Sequence, residues 1–156
     1  KLKIPYLSTG HIFRYLARQN SSEGKYIKER IDGGNLIGDE QTLKIVTEYL
    51  QKPEYRNGYI LDGFPRTTVQ SQEFKEEINQ VFYLKISDKE ALWRLSGRDD
   101  ERLDNTLKAI RQRIDLFHSV TEPVLNYYRQ KGILVEIDGE KSVEEINKEI
   151  LSKINH

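Results

Sequence analysis

The segment from Tyr59 to Gln70 places an acid, a glycine and an arginine directly after a short apolar run. Asp62 ends the run, Gly63 follows it, and Arg66 stands three residues further along the chain. In open α/β sheets, ligands gather beyond the carboxyl ends of the strands. A carboxylate at that place can hold Mg²⁺ through water, and an arginine can bind a phosphate by two parallel hydrogen bonds. On spacing alone, a simple strand-to-helix turn with a solvated arginine fits the segment equally well.

A second candidate anion site lies between Leu7 and Arg14. Thr9 and Gly10 stand at the predicted start of a helix, where unpaired backbone N–H groups and the helix dipole favour anions. Arg14 follows about one helical turn later. Taken alone, this segment favours the simpler interpretation of a Thr N-cap followed by a surface arginine.

Five further arginines stand in the second half of the chain: Arg94, Arg98, Arg102, Arg111 and Arg113. The first three are four residues apart, so a single helix would carry them on one face. Arg102 and Arg113 would lie roughly 16 Å apart along a continuous helix, too far to share one phosphate group. The acidic residues at 99–101 predict a loop that bends Arg102 back over the helix, and a solvated basic stripe is the alternative.

The elements that must position these residues follow an α/β pattern with a mainly parallel sheet. Apolar runs predict strands at 59–61, 80–86 and 132–138. Helical periodicity predicts helices over 8–19, 22–32 and 39–52, then from about 88, across 104–130 and after 142. Ser22 and Ser142 are predicted N-caps, Pro123 should kink or divide the long helix, and Val143 should face inward. Three strands are few for such a sheet, so we expect its opening strand to be missing.

Composition excludes several classes of protein. The 156 residues contain no cysteine and three scattered histidines, so we expect neither a disulfide scaffold nor a zinc site. The 25 basic and 25 acidic side chains cancel, which argues against nucleic-acid binding by bulk electrostatics. No apolar run approaches the roughly 20 residues of a membrane span. We therefore expect one cytoplasmic domain over residues 1–156, without nucleic-acid or membrane partners.

Taken in order, these segments resemble the adenylate kinase family over nearly the whole chain. The residues that carry the resemblance are LSTG and Arg14, then IDGGNLIGDE at 31–40, NGYILDGFPRT at 57–67, RLSGR at 94–98, RLDNTLKAIRQR at 102–113, TEPVLNYY at 121–128 and IDGEKSVEE at 137–145. The resemblance implies a three-layer P-loop-kinase-like fold and reversible phosphoryl transfer from ATP to AMP with Mg²⁺, by a monomer. It also implies a helical monophosphate-binding region at 9–52 and a short lid at 94–104.

The resemblance assigns roles to individual residues. It implies an AMP pocket made of Thr9, Gly10, Arg14, Ile31, Asn35, Leu36, Ile37, Gly63, Phe64, Arg66, Gln70, Arg102 and Arg113. It implies that Arg98, Arg102 and Arg113 surround the moving phosphoryl group, with Asp62 reaching magnesium through water. It places Arg94, Arg98 and Lys141 on the ATP side. Gln70 fits an adenine edge because its amide donates and accepts at once, and with Thr9 it favours AMP over pyrimidine monophosphates.

The chain also departs from the family pattern. No G-x-x-x-x-G-K motif occurs in the 156 residues, so we expect the phosphate loop to precede Lys1 and the chain without it to have little kinase activity. The lid is three residues long, His11 replaces the usual aspartate, and Asn105 replaces an acid. We interpret His11 as an exposed helix-start residue. Two alternatives stay open: a truncated or degenerate AMP-binding module without transfer activity, and a UMP or CMP kinase.

Overall fold

The computed structural model describes residues 3–97 and 106–154. The predicted lid residues Arg98 and Arg102, the acidic residues at 99–101, and Asn105 lie outside this part of the chain. The strands are β1 (Tyr6–Ser8), β2 (Ile60–Asp62), β3 (Val81–Lys85) and β4 (Leu134–Asp138). The helices are α1 (Thr9–Ala17), α2 (Ser22–Asp32), α3 (Asp39–Leu50), α4 (Thr68–Glu73), α5 (Asp88–Ser96), α6 (Leu107–Leu116), α7 (Glu122–Gln130) and α8 (Val143–Lys153). A 3₁₀ turn occupies Pro53–Tyr55, and a π-helical turn occupies Phe117–Thr121.

The α/β class with parallel strands is confirmed. β1 pairs with β2 in parallel, with Ser8 opposite Asp62, and β3 pairs with β4 in parallel, with Lys85 opposite Asp138. Within the described residues these are two separate two-stranded sheets rather than one central sheet. The three predicted strands are present, and β1 is an additional strand that the sequence did not predict. It has three residues, too few for an alternating pattern to show.

The main hydrophobic core lies where the helices of the first half pack on β1 and on the loop after β2. Its buried members include Leu7, Ile27, Val46 and Phe64. A second group, from the later helices and β4, buries Ala109, Ile110, Val124, Tyr128 and Ile137. α1 contacts α2, and α3 contacts α4. The first core therefore holds α1 and α3 against the carboxyl end of β2, where the sequence predicts a ligand site.

Several helix ends differ from the sequence expectations in ways that the side chains explain. The N-cap of α2 is Ser21, whose side chain accepts a hydrogen bond from the Gly24 backbone at 3.0 Å, rather than Ser22. Ser8 precedes α1 without capping it through its side chain. Ser142 caps α8 as predicted, in a capping box with Glu145. Val143 was predicted to face inward, but it stays 77% exposed at the start of α8.

The break that Pro123 predicts in the long helix is confirmed. The π-helical turn at Phe117–Thr121 separates α6 from α7, and Pro123 stands in the first turn of α7. Proline fits there because the first N–H groups of a helix have no intrahelical acceptor. The turn also makes a long-range contact, since the Thr121 hydroxyl donates to the Arg66 carbonyl at 3.0 Å. The interrupted helix thus contacts the loop after β2.

Candidate functional site

A cleft of about 1990 Å³ opens at the carboxyl ends of β1 and β2 and continues between the two strand pairs. Its walls come from the start of α1, the connection between α2 and α3, the loop after β2, and α6. Thirteen of the sequence-predicted site residues line it: Thr9, Gly10, Arg14, Ile31, Asn35, Leu36, Ile37, Asp62, Gly63, Phe64, Arg66, Gln70 and Arg113. Every predicted acceptor-site residue that the structure describes therefore borders this cleft, together with residues of both strand pairs that were not predicted.

Three of the predicted arginines, from separate segments, line this one cleft. Arg14 comes from α1, Arg66 from the loop after β2, and Arg113 from α6. The Arg14 guanidinium folds back over the helix start, since a Cβ placed on Gly10 would lie 3.1 Å from Arg14 Nη1. Arg66 Nε donates to the Gly63 carbonyl at 2.8 Å. Guanidinium groups are well suited to bind phosphate, so this cleft is a candidate phosphate site.

Gly63 makes the tight approach between α1 and the loop after β2 possible. Its φ is +77°, and a Cβ would lie 2.7 Å from Thr9 Oγ1 and 3.0 Å from Arg66 Nη2. Thr9 is buried, and its Oγ1 lies 3.1 Å from the Asp62 carbonyl oxygen and 3.0 Å from the Gly63 carbonyl oxygen, within donating distance of both. The backbone conformation and the neighbouring side chains both require the absence of a Cβ.

Asp62 is held by two hydroxyl donors from β1. Tyr6 Oη donates to Asp62 Oδ2 at 2.6 Å, and Ser8 Oγ donates to the same oxygen at 3.2 Å. Partial burial, together with the hydrogen bond to Asp62, raises the pKa of Tyr6 above its ordinary value. Sequence reasoning missed Tyr6 and Ser8, because their link to Asp62 depends on the unpredicted pairing of β1 with β2. A period-2 signal could not reveal a strand of three residues.

The connection between α2 and α3 forms another wall of the cleft. Gly34 has φ +70°, and a Cβ there would lie 2.5 Å from the Ala109 carbonyl oxygen of α6. Arg30 Nε donates to the Leu36 carbonyl at 2.8 Å, and the Asn35 N–H donates to the Arg30 carbonyl at 2.8 Å. Ile37 is buried in the main core. These contacts fix the backbone of the segment that presents Asn35 and Leu36 to the cleft.

Gln70 is only 2% exposed, although it lines the cleft. Its Oε1 accepts from the Arg66 N–H at 2.8 Å, and its Nε2 donates to Asp39 Oδ1 at 2.9 Å. Thr67 Oγ1 also donates to Asp39 Oδ1, at 2.8 Å, and caps α4 by accepting from the Gln70 N–H. The sequence predicted Gln70 but not Asp39, which was interpreted only as the first residue of a helix.

The residues predicted for the ATP side lie elsewhere. Arg94 pairs with Glu90 at 2.6 Å, Lys141 pairs with Glu149 at 3.0 Å, and neither lines the cleft. Arg98 and Arg102 lie outside the described residues. His11 is exposed on α1, as interpreted from the sequence.

Across 3–97 and 106–154, no group of three or more His, Cys, Asp or Glu side chains is placed to hold a metal ion. In the same ranges, no helix has both the length and the apolar character needed to cross a membrane. Asp62 is a single carboxylate that lines the same cleft as Arg14, Arg66 and Arg113. It therefore matches the way proteins bind Mg²⁺, through one or two carboxylates together with substrate phosphates.

Comparison with known proteins shows which family this chain is similar to. The family model described as adenylate kinase matches residues 1–133. The alignment with the adenylate kinase of Caldanaerobacter subterraneus subsp. tengcongensis is 183 positions long and shows 33% identity. It covers 94% of this chain and 83% of that protein. The adenylate kinase of Desulfitobacterium hafniense strain DCB-2 is 29% identical over 192 residues, covering 100% of this chain and 88% of the relative. The adenylate kinase of Moorella thermoacetica is 32% identical, covering 92% and 82%.

Proposed function

We propose that this chain, which belongs to the adenylate kinase family, transfers the terminal phosphoryl group of ATP reversibly to AMP. Membership of the family makes it a phosphotransferase of the nucleoside monophosphate kinase class. The proposal adds the acceptor and the donor. It rests on one observation above all: Arg14, Arg66 and Arg113 line the same cleft as Gln70.

The acceptor phosphate fits between the arginines. Phosphoryl transfer asks a protein mainly to position its substrates and to stabilise charge on the phosphoryl oxygens. Arg66 can offer a planar set of N–H donors, and its Nε contact with the Gly63 carbonyl fixes the side chain beside the loop. Arg14 and Arg113 add positive charge from two other elements. Together they would hold the AMP phosphate in place as the acceptor, with Arg98 and Arg102 assigned by sequence to the moving group.

The base end of the acceptor fits the other side of the cleft. The buried amide of Gln70 offers a donor and an acceptor, which is the pairing that an adenine edge requires. The backbone of the α2–α3 connection, at Asn35 to Ile37, lines the same region. The single ring of a pyrimidine monophosphate is smaller than a purine and would lie further from this amide. The site therefore favours AMP over UMP and CMP.

Magnesium fits at Asp62. The carboxylate is oriented by Tyr6 and Ser8, which both donate to Oδ2, and it would hold the ion through water as part of an ATP complex. A magnesium ion held there would supply positive charge that offsets the negative charge of the ATP phosphates. Arg94 and Lys141 remain the sequence-based candidates for the ATP side, and the acceptor half of the site carries the proposal.

Binding of AMP by the purified protein tests the acceptor assignment. Arg66→Ala should weaken AMP binding about 10- to 100-fold, because a hydrogen bond to a charged group contributes roughly 1.5–3 kcal/mol. Adenosine, which has no phosphate, should bind the variant and the parent equally well. The matched control is Arg18→Ala, which removes an exposed arginine at the end of α1 and should leave both affinities unchanged.

Two outcomes would contradict the proposal. If CMP or UMP binds the parent more tightly than AMP, the acceptor is a pyrimidine nucleotide. If the protein with its expected phosphate loop binds AMP but forms no ADP when ATP and AMP are supplied together with Mg²⁺, it captures AMP without transferring phosphoryl groups.

A further inference from the structure

We infer that Asp39 sets the choice between purine bases at the acceptor site, by fixing which way the Gln70 amide faces. The inference rests on the proposed function, because it concerns recognition of the AMP base. Asp39 does not line the cleft, whereas Gln70 does. Asp39 is therefore a positioning residue that acts on the ligand through Gln70.

The carboxylate of Asp39 joins the beginnings of two helices. Asp39 is the first residue of α3, and its Oδ1 accepts from Thr67 Oγ1 at 2.8 Å and from Gln70 Nε2 at 2.9 Å. Thr67 and Gln70 belong to the cap and first turn of α4. Asp39 thus holds the cleft-lining amide of Gln70, although Asp39 itself is not part of the cleft lining.

Two contacts together determine the orientation of the Gln70 amide. A carboxylate can only accept hydrogen bonds, so the amino group of Gln70 must face Asp39. The backbone N–H of Arg66 can only donate, so the carbonyl oxygen of Gln70 must face Arg66, at the observed 2.8 Å. Rotating the amide by half a turn would oppose two acceptors at Asp39 and two donors at Arg66. With Gln70 almost fully buried, water cannot replace the lost partners.

A fixed amide distinguishes adenine from hypoxanthine. After its contacts with Asp39 and Arg66, the amide keeps one N–H and one oxygen lone pair for a ligand. Adenine carries an amino donor at C6 beside a ring-nitrogen acceptor, so it matches the amide oxygen and amino group in one order. Hypoxanthine carries an oxygen acceptor at C6 beside a protonated N1, so it needs the reverse order. The site should therefore prefer AMP over IMP.

The substitution Asp39→Asn separates this role from a merely structural one. Asparagine has nearly the same size and can still link α3 to Thr67 and Gln70, but it can present either a donor or an acceptor. One of the two constraints on Gln70 is then removed. The AMP-over-IMP affinity ratio should fall by about tenfold, the factor expected when one hydrogen bond no longer discriminates.

The experiment is calorimetric titration of the parent and variants with AMP, IMP and ribose 5-phosphate. The matched control is Glu40→Gln, which neutralises the neighbouring exposed acid in the same first turn of α3 and should leave the AMP-over-IMP ratio unchanged. Ribose 5-phosphate has no base, so its affinity should be the same in all three proteins. Thermal unfolding of each protein confirms that it is folded before the titrations are compared.

The outcomes separate the inference from the proposed function. A parent that binds AMP and IMP equally well, or an Asp39→Asn variant that keeps the parental ratio, overturns the role of Asp39 while leaving the acceptor site in place. A variant that loses ribose 5-phosphate as strongly as AMP shows that Asp39 is only structural. A parent that binds neither AMP nor ribose 5-phosphate overturns the proposed function and this inference with it.

Discussion

At the scale of single residues, Gly63 shows how little space separates the parts of the candidate site. Gly63 has a positive φ, and a Cβ placed on it would also lie close to Thr9 Oγ1 and Arg66 Nη2. Both features disfavour any side chain at this residue. Gly63→Ala should lower AMP affinity by at least about tenfold, because it displaces Arg66, the arginine proposed to bind the AMP phosphate. It should also lower the free energy of unfolding by roughly 1–3 kcal/mol, the usual cost of a left-handed conformation for a residue with a Cβ. Titration with AMP and thermal unfolding measure the two effects.

The chain offers a matched control for this substitution. Gly132 has φ +72°, but a Cβ there would meet nothing within 4 Å. Gly132→Ala should therefore destabilise the fold through the backbone alone and leave AMP affinity unchanged. Equal AMP affinity in the Gly63 and Gly132 variants would show that the close approach at Gly63 does not position Arg66.

The sequence predicted those site residues that belong to a recognisable local pattern. Asp62, Gly63 and Arg66 follow one strand within a few positions, so their meeting at its end follows from the local pattern. The partners that orient them come from elsewhere in the chain. Tyr6 reaches Asp62 across 56 positions, and Asp39 reaches Gln70 across 31. A tyrosine or an aspartate that acts only through such a distant contact has no local signal.

At the scale of elements, two adjacent serines could each act as the N-cap of α2, and only Ser21 does so. Ser21 accepts a hydrogen bond from the Gly24 N–H, whereas Ser22 is already the first helical residue. Ser21→Ala should lower the free energy of unfolding by about 1 kcal/mol, the typical cost of removing an N-cap side chain. Ser22→Ala should have almost no effect, because alanine is favourable inside a helix. Chemical denaturation measures both, and a larger loss in the Ser22 variant would contradict the observed cap.

The elements themselves were largely predictable, and the misses have physical causes. Helical periodicity predicted α3 and α5, and periodicity together with the N-cap at Ser142 predicted α8. At Thr9, the sequence suggested an N-cap, but its hydroxyl lies within donating distance of the Asp62 and Gly63 carbonyl oxygens instead. A tertiary partner thus replaced a local one. Val143 belongs to the predicted helix, but it is the first residue of α8 and remains exposed.

At the scale of the whole molecule, His118 connects two distant helices. Its Nε2 lies 2.8 Å from Asp88 Oδ1 at the start of α5, and its Nδ1 lies 3.0 Å from Glu122 Oε2 at the start of α7. The hydrogen bonds to Glu122 and Asp88 raise the pKa of His118 above its ordinary value. The protonated ring is therefore favoured in the folded state, and its contribution to stability is full below the unfolded pKa, about 6.5. That contribution is lost as the pH rises through the folded pKa.

His118→Gln should consequently lower the Tm more at about pH 5.5 than at about pH 9. The comparison is made by thermal unfolding at both pH values. His11→Gln, which removes an exposed histidine from α1, serves as the control and should show little difference between them. A Tm loss in the His118 variant that is the same at both pH values would mean that its charge does not join α5 to α7.

The arrangement of the strands was the part of the fold least accessible from the sequence. Apolar runs predicted β2, β3 and β4, but no run specifies which strand lies beside which. The pairs β1–β2 and β3–β4 bring together segments 54 and 53 positions apart. The alternation of helical segments and apolar runs predicted the parallel direction, and the structure shows the division into two pairs around the cleft.

The hydrogen bond from the Arg66 main chain to the Gln70 side chain has a consequence for changing the acceptor nucleotide. The group that would recognise the base is anchored on the residue that would hold the phosphate. Replacing Gln70 to admit a different base would also free the backbone from which the Arg66 side chain projects. A protein engineered for a new acceptor would therefore need another hydrogen-bond acceptor for the Arg66 N–H. Without one, we expect a variant with altered base preference to bind every nucleoside monophosphate more weakly.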